Sequence, residues 1–141
     1  MHPSHLRPRA ALLAALASAC LPGCSAGLAG DWYGTCAFTD ERYGYTGAVQ
    51  ITVADGRGQR LEGRTRFDMY DGDFFRGDME GIRSDRYVLM EAAVTNSRQE
   101  PWRFDVEGEL SDEGTIEGTC ALRYPDNPGA GLTGDVVLEQ P

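Results

Sequence analysis

The sequence predicts an all-β protein: a single antiparallel up-and-down sheet of eight strands, closed as a barrel or flattened into a sandwich, with one disulfide. Three observations predict it. From Trp32 onward, apolar and polar residues alternate with period two, the spacing that divides a strand into two faces. The alternating runs are joined by short connections with turn chemistry, such as Asp55-Gly56, Asp71-Gly72 and Asp112-Glu113-Gly114. No convincing helical pattern interrupts them. Sequential strands on short turns favour a meander that closes on itself.

The first strand starts at Gly30, where Trp32, Gly34, Cys36 and Phe38 alternate with Asp31, Tyr33, Thr35 and Ala37. Thr46 to Val53 sets Gly47, Val49, Ile51 and Val53 on one face. Leu61 to Met69 sets Leu61, Gly63, Thr65, Phe67 and Met69 against Glu62, Arg64, Arg66 and Asp68. Phe74 to Arg83 follows, with Phe75, Gly77, Met79 and Gly81 facing one way. Tyr87 to Thr95 is apolar on both faces, which predicts cover on both sides. Trp102 to Leu110 alternates most cleanly, and Thr115 to Tyr124 carries Ile116, Gly118, Cys120, Leu122 and Tyr124 on one face. A longer loop over Pro125 to Gly129 precedes a last strand, Leu132 to Glu139. Four strands share an apolar-Glu-Gly signature, ending at Gly63, Gly81, Gly108 and Gly118. Inward glycines let a small sheet coil tightly. The outward charges are expected to pair across strands, Arg64 and Arg66 with Asp78 and Glu80, for about 0.2–1 kcal/mol each.

Residues 1–23 read as a secretory signal, 24–29 as a short tether and 30–141 as the β-barrel domain. Arg7 and Arg9 precede the apolar run Ala10 to Ala17, which is too short to span a bilayer. Leu21-Pro22-Gly23-Cys24-Ser25 resembles the lipobox of bacterial lipoproteins, apart from Pro22. The resemblance implies lipidation of Cys24, with Cys20 a second candidate, and so a membrane anchor at the N-terminus. Ser25 after the cysteine implies an outer-membrane address in the cell envelope. Ala17-Ser18-Ala19 also fits ordinary secretion, with Cys20 and Cys24 as a small disulfide.

The opening Gly30-Asp31-Trp32-Tyr33, with the run from Ile51 to Gly56 and Leu61-Glu62-Gly63, resembles lipocalin-like and avidin-like barrels. The resemblance covers about a third of the chain and implies a barrel. Biotin binders use several interior tryptophans, and this chain has only Trp32 and Trp102, so biotin binding is not carried over.

Charge and composition narrow the chemistry. After the leader, 11 Arg stand against 22 acidic residues, a formal charge of −11, and there is no Lys. Nucleic acid is excluded as a partner, since phosphate binding needs a basic face. Both histidines, His2 and His5, lie in the leader, so the domain has no Ser-His-Asp triad and no His-ligated metal. The expectation is a protein that is not an enzyme, with no cofactor and no metal. Asp68, Asp71, Asp73, Asp78 and Glu80 crowd one turn, but their spacing is not a calcium loop and they read as a solvated turn.

In an exported protein Cys36 and Cys120 should oxidise. In a closed meander the eighth strand lies between the first and the seventh, about 9.6 Å apart at twice the strand spacing. A disulfide needs Cα atoms within about 7 Å. The bond therefore passes the end of the eighth strand, flattens the barrel or crosses the interior. An interior lined by Trp32, Phe67, Phe75, Trp102, Phe104 and Tyr124 either holds a small hydrophobic molecule or is a packed core. Tyr43, Tyr45, Tyr70 and Phe74 are candidates for an aromatic rim. Two functions are expected from these features. One is a lipid-anchored envelope binding protein with a hydrophobic ligand. The other is an interaction module for a basic protein, similar in architecture to membrane-bound lysozyme inhibitors.

Overall fold

Eight strands follow the order of the chain around a closed antiparallel barrel in the computed structural model. It describes residues 27–39, 46–55 and 58–141. The leader with Cys20 and Cys24, and the rim candidates Tyr43 and Tyr45, lie outside the described residues. The strands are β1 (Gly30–Phe38), β2 (Thr46–Asp55), β3 (Arg60–Met69), β4 (Phe74–Ser84), β5 (Tyr87–Thr95), β6 (Pro101–Leu110), β7 (Ile116–Tyr124) and β8 (Asn127–Glu139). The sheet closes where β1 pairs with β8, Tyr33 opposite Glu139 through Phe38 opposite Gly134.

The period-two pattern decides what faces inward. Trp32, Cys36, Val49, Ile51, Leu61, Phe67, Met79, Val88, Val106, Ile116 and Leu138 are among the core residues, each 2% exposed or less. The four signature glycines also face inward. At each, an added Cβ would stand 1.8–2.5 Å from a carbonyl oxygen of the next strand. Only glycine permits that approach, and it lets eight short strands coil into a closed cylinder.

Three expectations need correction. The last strand begins at Asn127, not Leu132. Pro128 fits there because β1 reaches β8 only from Gly134 onward, so its missing N–H faces no partner strand among the described residues. Strand β5 is covered on one face only. Val88, Met90, Ala92 and Val94 are buried, whereas outward Leu89 is half-buried and Ala93 is exposed. The outer ion pairs also differ. Arg64 meets Asp78 at 3.7 Å, but Arg66 turns to Asp68 on its own strand, at 2.9 Å, because Arg76 stands directly opposite it.

The disulfide forms on the inner wall of the barrel, between β1 and β7 and over β8. Cys36 and Cys120 are 0% and 1% exposed, and their Cα atoms are 6.2 Å apart. On the strand between them, Cys120 stands opposite Gly134, which carries no side chain, and Cys36 stands opposite Val136, so the bridge runs diagonally over β8. An added Cβ on Gly134 would meet the Ala37 carbonyl oxygen at 2.0 Å. β1 and β7 fold toward each other over β8 beside Gly134, and the two-strand separation shrinks to disulfide range.

Outside, a row of carboxylates crosses four strands, Glu62 opposite Glu80, Glu80 opposite Glu91, and Glu91 opposite Asp105. Arg103 bonds Glu91 at 2.5 Å and lies 3.7 Å from Asp105. Burial pushes the Asp105 carboxyl above its ordinary range, against the pull of Arg103 and with help from Glu91. A carboxyl with a raised folded pKa contributes stability that is full below about 3.9 and lost as pH rises through the raised value. Asp105→Asn is therefore expected to raise the melting temperature at neutral pH, with the gain shrinking toward pH 4, read by thermal unfolding across that window.

Candidate functional site

Strand direction sorts the aromatic residues into two ends. Odd strands start, and even strands finish, at one end of the barrel; the other end takes the opposite termini. Trp32, near the start of β1, belongs to the first end. There its indole Nε1 donates to the Leu28 carbonyl at 2.8 Å, and Leu28, from the expected tether, is 1% exposed. Together they plug that end.

The other five expected lining residues gather at the opposite end, the mouth. Phe67, Phe75 and Phe104 are buried, and Phe67 stacks on Phe104 with ring centres 4.9 Å apart. Phe38, absent from the expected set, packs edge-on against Phe67 at 5.6 Å. Gly47 makes room for the Phe67 ring, since a Cβ there would lie 2.1 Å from it. These rings fill the upper interior themselves.

Above them the cluster opens. Phe75 meets Trp102 edge-on at 5.6 Å, and Trp102 lies against Tyr124 at 4.0 Å with 30° between the rings. Trp102 is partly buried and Tyr124 is 48% exposed. The register shift between Arg123 and Tyr124 leads straight into the turn to β8, and it places Tyr124 at the lip. The result is a two-ring platform, apolar underneath and accessible above. Tyr70, 84% exposed, stands in the neighbouring β3–β4 turn.

Two mouth loops are tied together. The Asp73 carboxylate accepts from the Ser97 hydroxyl at 2.6 Å, the Ser97 amide at 3.2 Å and the Phe74 amide at 2.8 Å. Asp71 accepts from the Asp73 amide at 3.0 Å. The acids of this turn thus serve its own donors. Buried Asn96 organises the second loop, accepting from the amides of Arg98 at 3.0 Å and Glu100 at 2.9 Å. The bond from Ser97 holds the Asp73 carboxyl below its usual range. The tie is therefore present above the ordinary carboxylate pKa and weakens as pH falls below it.

Two comparisons with known proteins return nothing: no family model and no curated protein match the chain. A solved structure does match. It is a structure of EF1p2_mFAP2b bound to DFHBI, 11% identical, with a TM-score of 0.63. The match covers 81% of this chain and 94% of that one. At this identity the likeness bears on the fold, a small closed barrel, and not on the residues of a site. The aromatic pattern could have located the mouth from the sequence, because strand parity alone separates Trp32 from the other five.

Proposed function

We propose that the protein is a lipid-anchored binding barrel of a bacterial cell envelope that takes a small apolar molecule at its mouth. The observation that carries the reading is the Trp102–Tyr124 pair, rings 4.0 Å apart, at the end opposite the Leu28 plug. Apolar surface with a polar tip on Tyr124 suits a flat ligand carrying one hydrogen-bonding group. The similar solved barrel holds DFHBI, which supports a small ligand for this architecture.

The anchor fits the same geometry. Lipidated Cys24 would stand four residues before Leu28, a reach of about 14 Å at full extension. The plugged end would then face the outer membrane and the mouth would face away from it. Mass spectrometry of the mature protein from membranes tests this half of the proposal through an acyl mass on Cys24; an unmodified Cys24 contradicts it.

Nile red, a neutral apolar dye, tests the mouth. Saturable binding is expected, weakened about 3–10-fold by Trp102→Ala or Tyr124→Ala, in line with about 0.5–1.5 kcal/mol for an aromatic pair. Trp32→Phe should leave it unchanged. Equal binding by all three variants would refute the site.

A second reading has its own support. The row Glu62, Glu80, Glu91 and Asp105 gives the outer face of β3–β6 a concentrated negative charge suited to a basic protein. Capture of such a partner that persists unchanged at high salt would count against it.

A further inference from the structure

We infer that the outer face of β2–β5 carries a second site, separate from the mouth, that receives an oxyanion such as a phosphate group. In a chain of formal net charge −9, three arginines, Arg64, Arg66 and Arg76, line one groove of about 540 Å³. Arg66 and Arg76 stand directly opposite each other on β3 and β4, an arrangement that like charges disfavour. Both are held in place by one ring. Their guanidinium carbons lie 5.2 and 5.1 Å from the centre of Phe74. Guanidinium groups stacked on an aromatic face keep their in-plane N–H donors available, already oriented for a planar or tetrahedral anion.

The existing partners leave capacity for a ligand. Arg66 is engaged by Asp68 through Nε and Nη2. Arg64 lies 3.7 Å from Asp78, with both side chains more than four-fifths exposed, an ion pair of little strength. Arg76 has no carboxylate partner among the described residues. Thr95 and Gln50 add neutral donors at the border of the same groove. An anion seated there would relieve the Arg66–Arg76 repulsion and give Arg76 the charged partner it lacks among the described residues. The strongly acidic remainder of the surface repels free anions at long range. The groove therefore works by short-range charge-assisted hydrogen bonds rather than by steering.

The test uses the mature protein at low ionic strength. Inorganic pyrophosphate is titrated by calorimetry, and vesicles of phosphatidylglycerol are compared with vesicles of phosphatidylcholine by sedimentation. Saturable pyrophosphate binding assigns the site to a free anion. Binding seen only as a preference for phosphatidylglycerol assigns it to a lipid headgroup. Either is expected to fall at least fivefold in Arg76→Gln and to persist in Arg103→Gln, whose arginine lies outside the groove. Nile red binding should be unchanged in Arg76→Gln, which separates this site from the mouth and shows that the variant is folded. No saturable binding in either arm, or equal binding by Arg76→Gln, would overturn the inference.

Discussion

Replacing Cys36 and Cys120 together by alanine is expected to lower the unfolding free energy by about 4–5 kcal/mol. The chain-entropy model gives that figure for closing a loop of this length; the two cysteines are separated by 84 residues. In a domain of this size the loss corresponds to a melting-temperature drop of about 15–25 °C. The bond does more than shorten the unfolded chain. It holds β1 and β7 together over β8, where Gly134, opposite Cys120, offers no side chain to pack between them. Calorimetry of the double variant beside the oxidised and reduced parent checks the value. A loss below about 1 kcal/mol would mean that the barrel seam holds without its staple.

Phe67→Ala is the second large effect, about 3–5 kcal/mol from lost burial and the cavity left behind. Phe67 is 0% exposed and touches Phe38, Phe75 and Phe104, so its removal strips one face from three other rings. A coupled substitution makes the test specific. Gly47→Ala alone should destabilise, because its new Cβ would enter the Phe67 ring. In the Phe67→Ala background it should be tolerated, giving a coupling of about 0.5–3 kcal/mol in a double-mutant cycle. Additive effects would show that the ring does not fill the space beside Gly47.

Much of this fold is written in the alternation of the chain. Period two assigned the inward set strand by strand, because one slip would have turned Leu61, Thr65 and Phe67 out to water. The features the alternation left open depend on distances between strands that are far apart in sequence. The disulfide route depended on how tightly the sheet coils at Gly134. The partner of Arg66 depended on the register that set Arg76 opposite it. Pro125 to Gly129 reads as loop chemistry; Pro125 and Asp126 do form the turn, and strand resumes at Asn127, which pairs with Tyr124 of β7. Leu28 gave no periodic signal; it is buried because the Trp32 indole holds its carbonyl. The mouth was legible in principle, since strand parity carries Phe67, Phe75, Trp102, Phe104 and Tyr124 to one end. Which of these rings remain accessible follows only from packing.

In the proposed function, ligand meets Trp102 at the mouth while Trp32 stays sealed at the plugged end. The most direct measurement is the emission of the Trp32→Phe protein, whose remaining tryptophan is Trp102, during a Nile red titration. Quenching of that emission in step with dye binding, with no matching change in Trp102→Phe, is the expected result. Saturable dye binding that leaves Trp102 emission unaltered, or that quenches Trp32 instead, would contradict it.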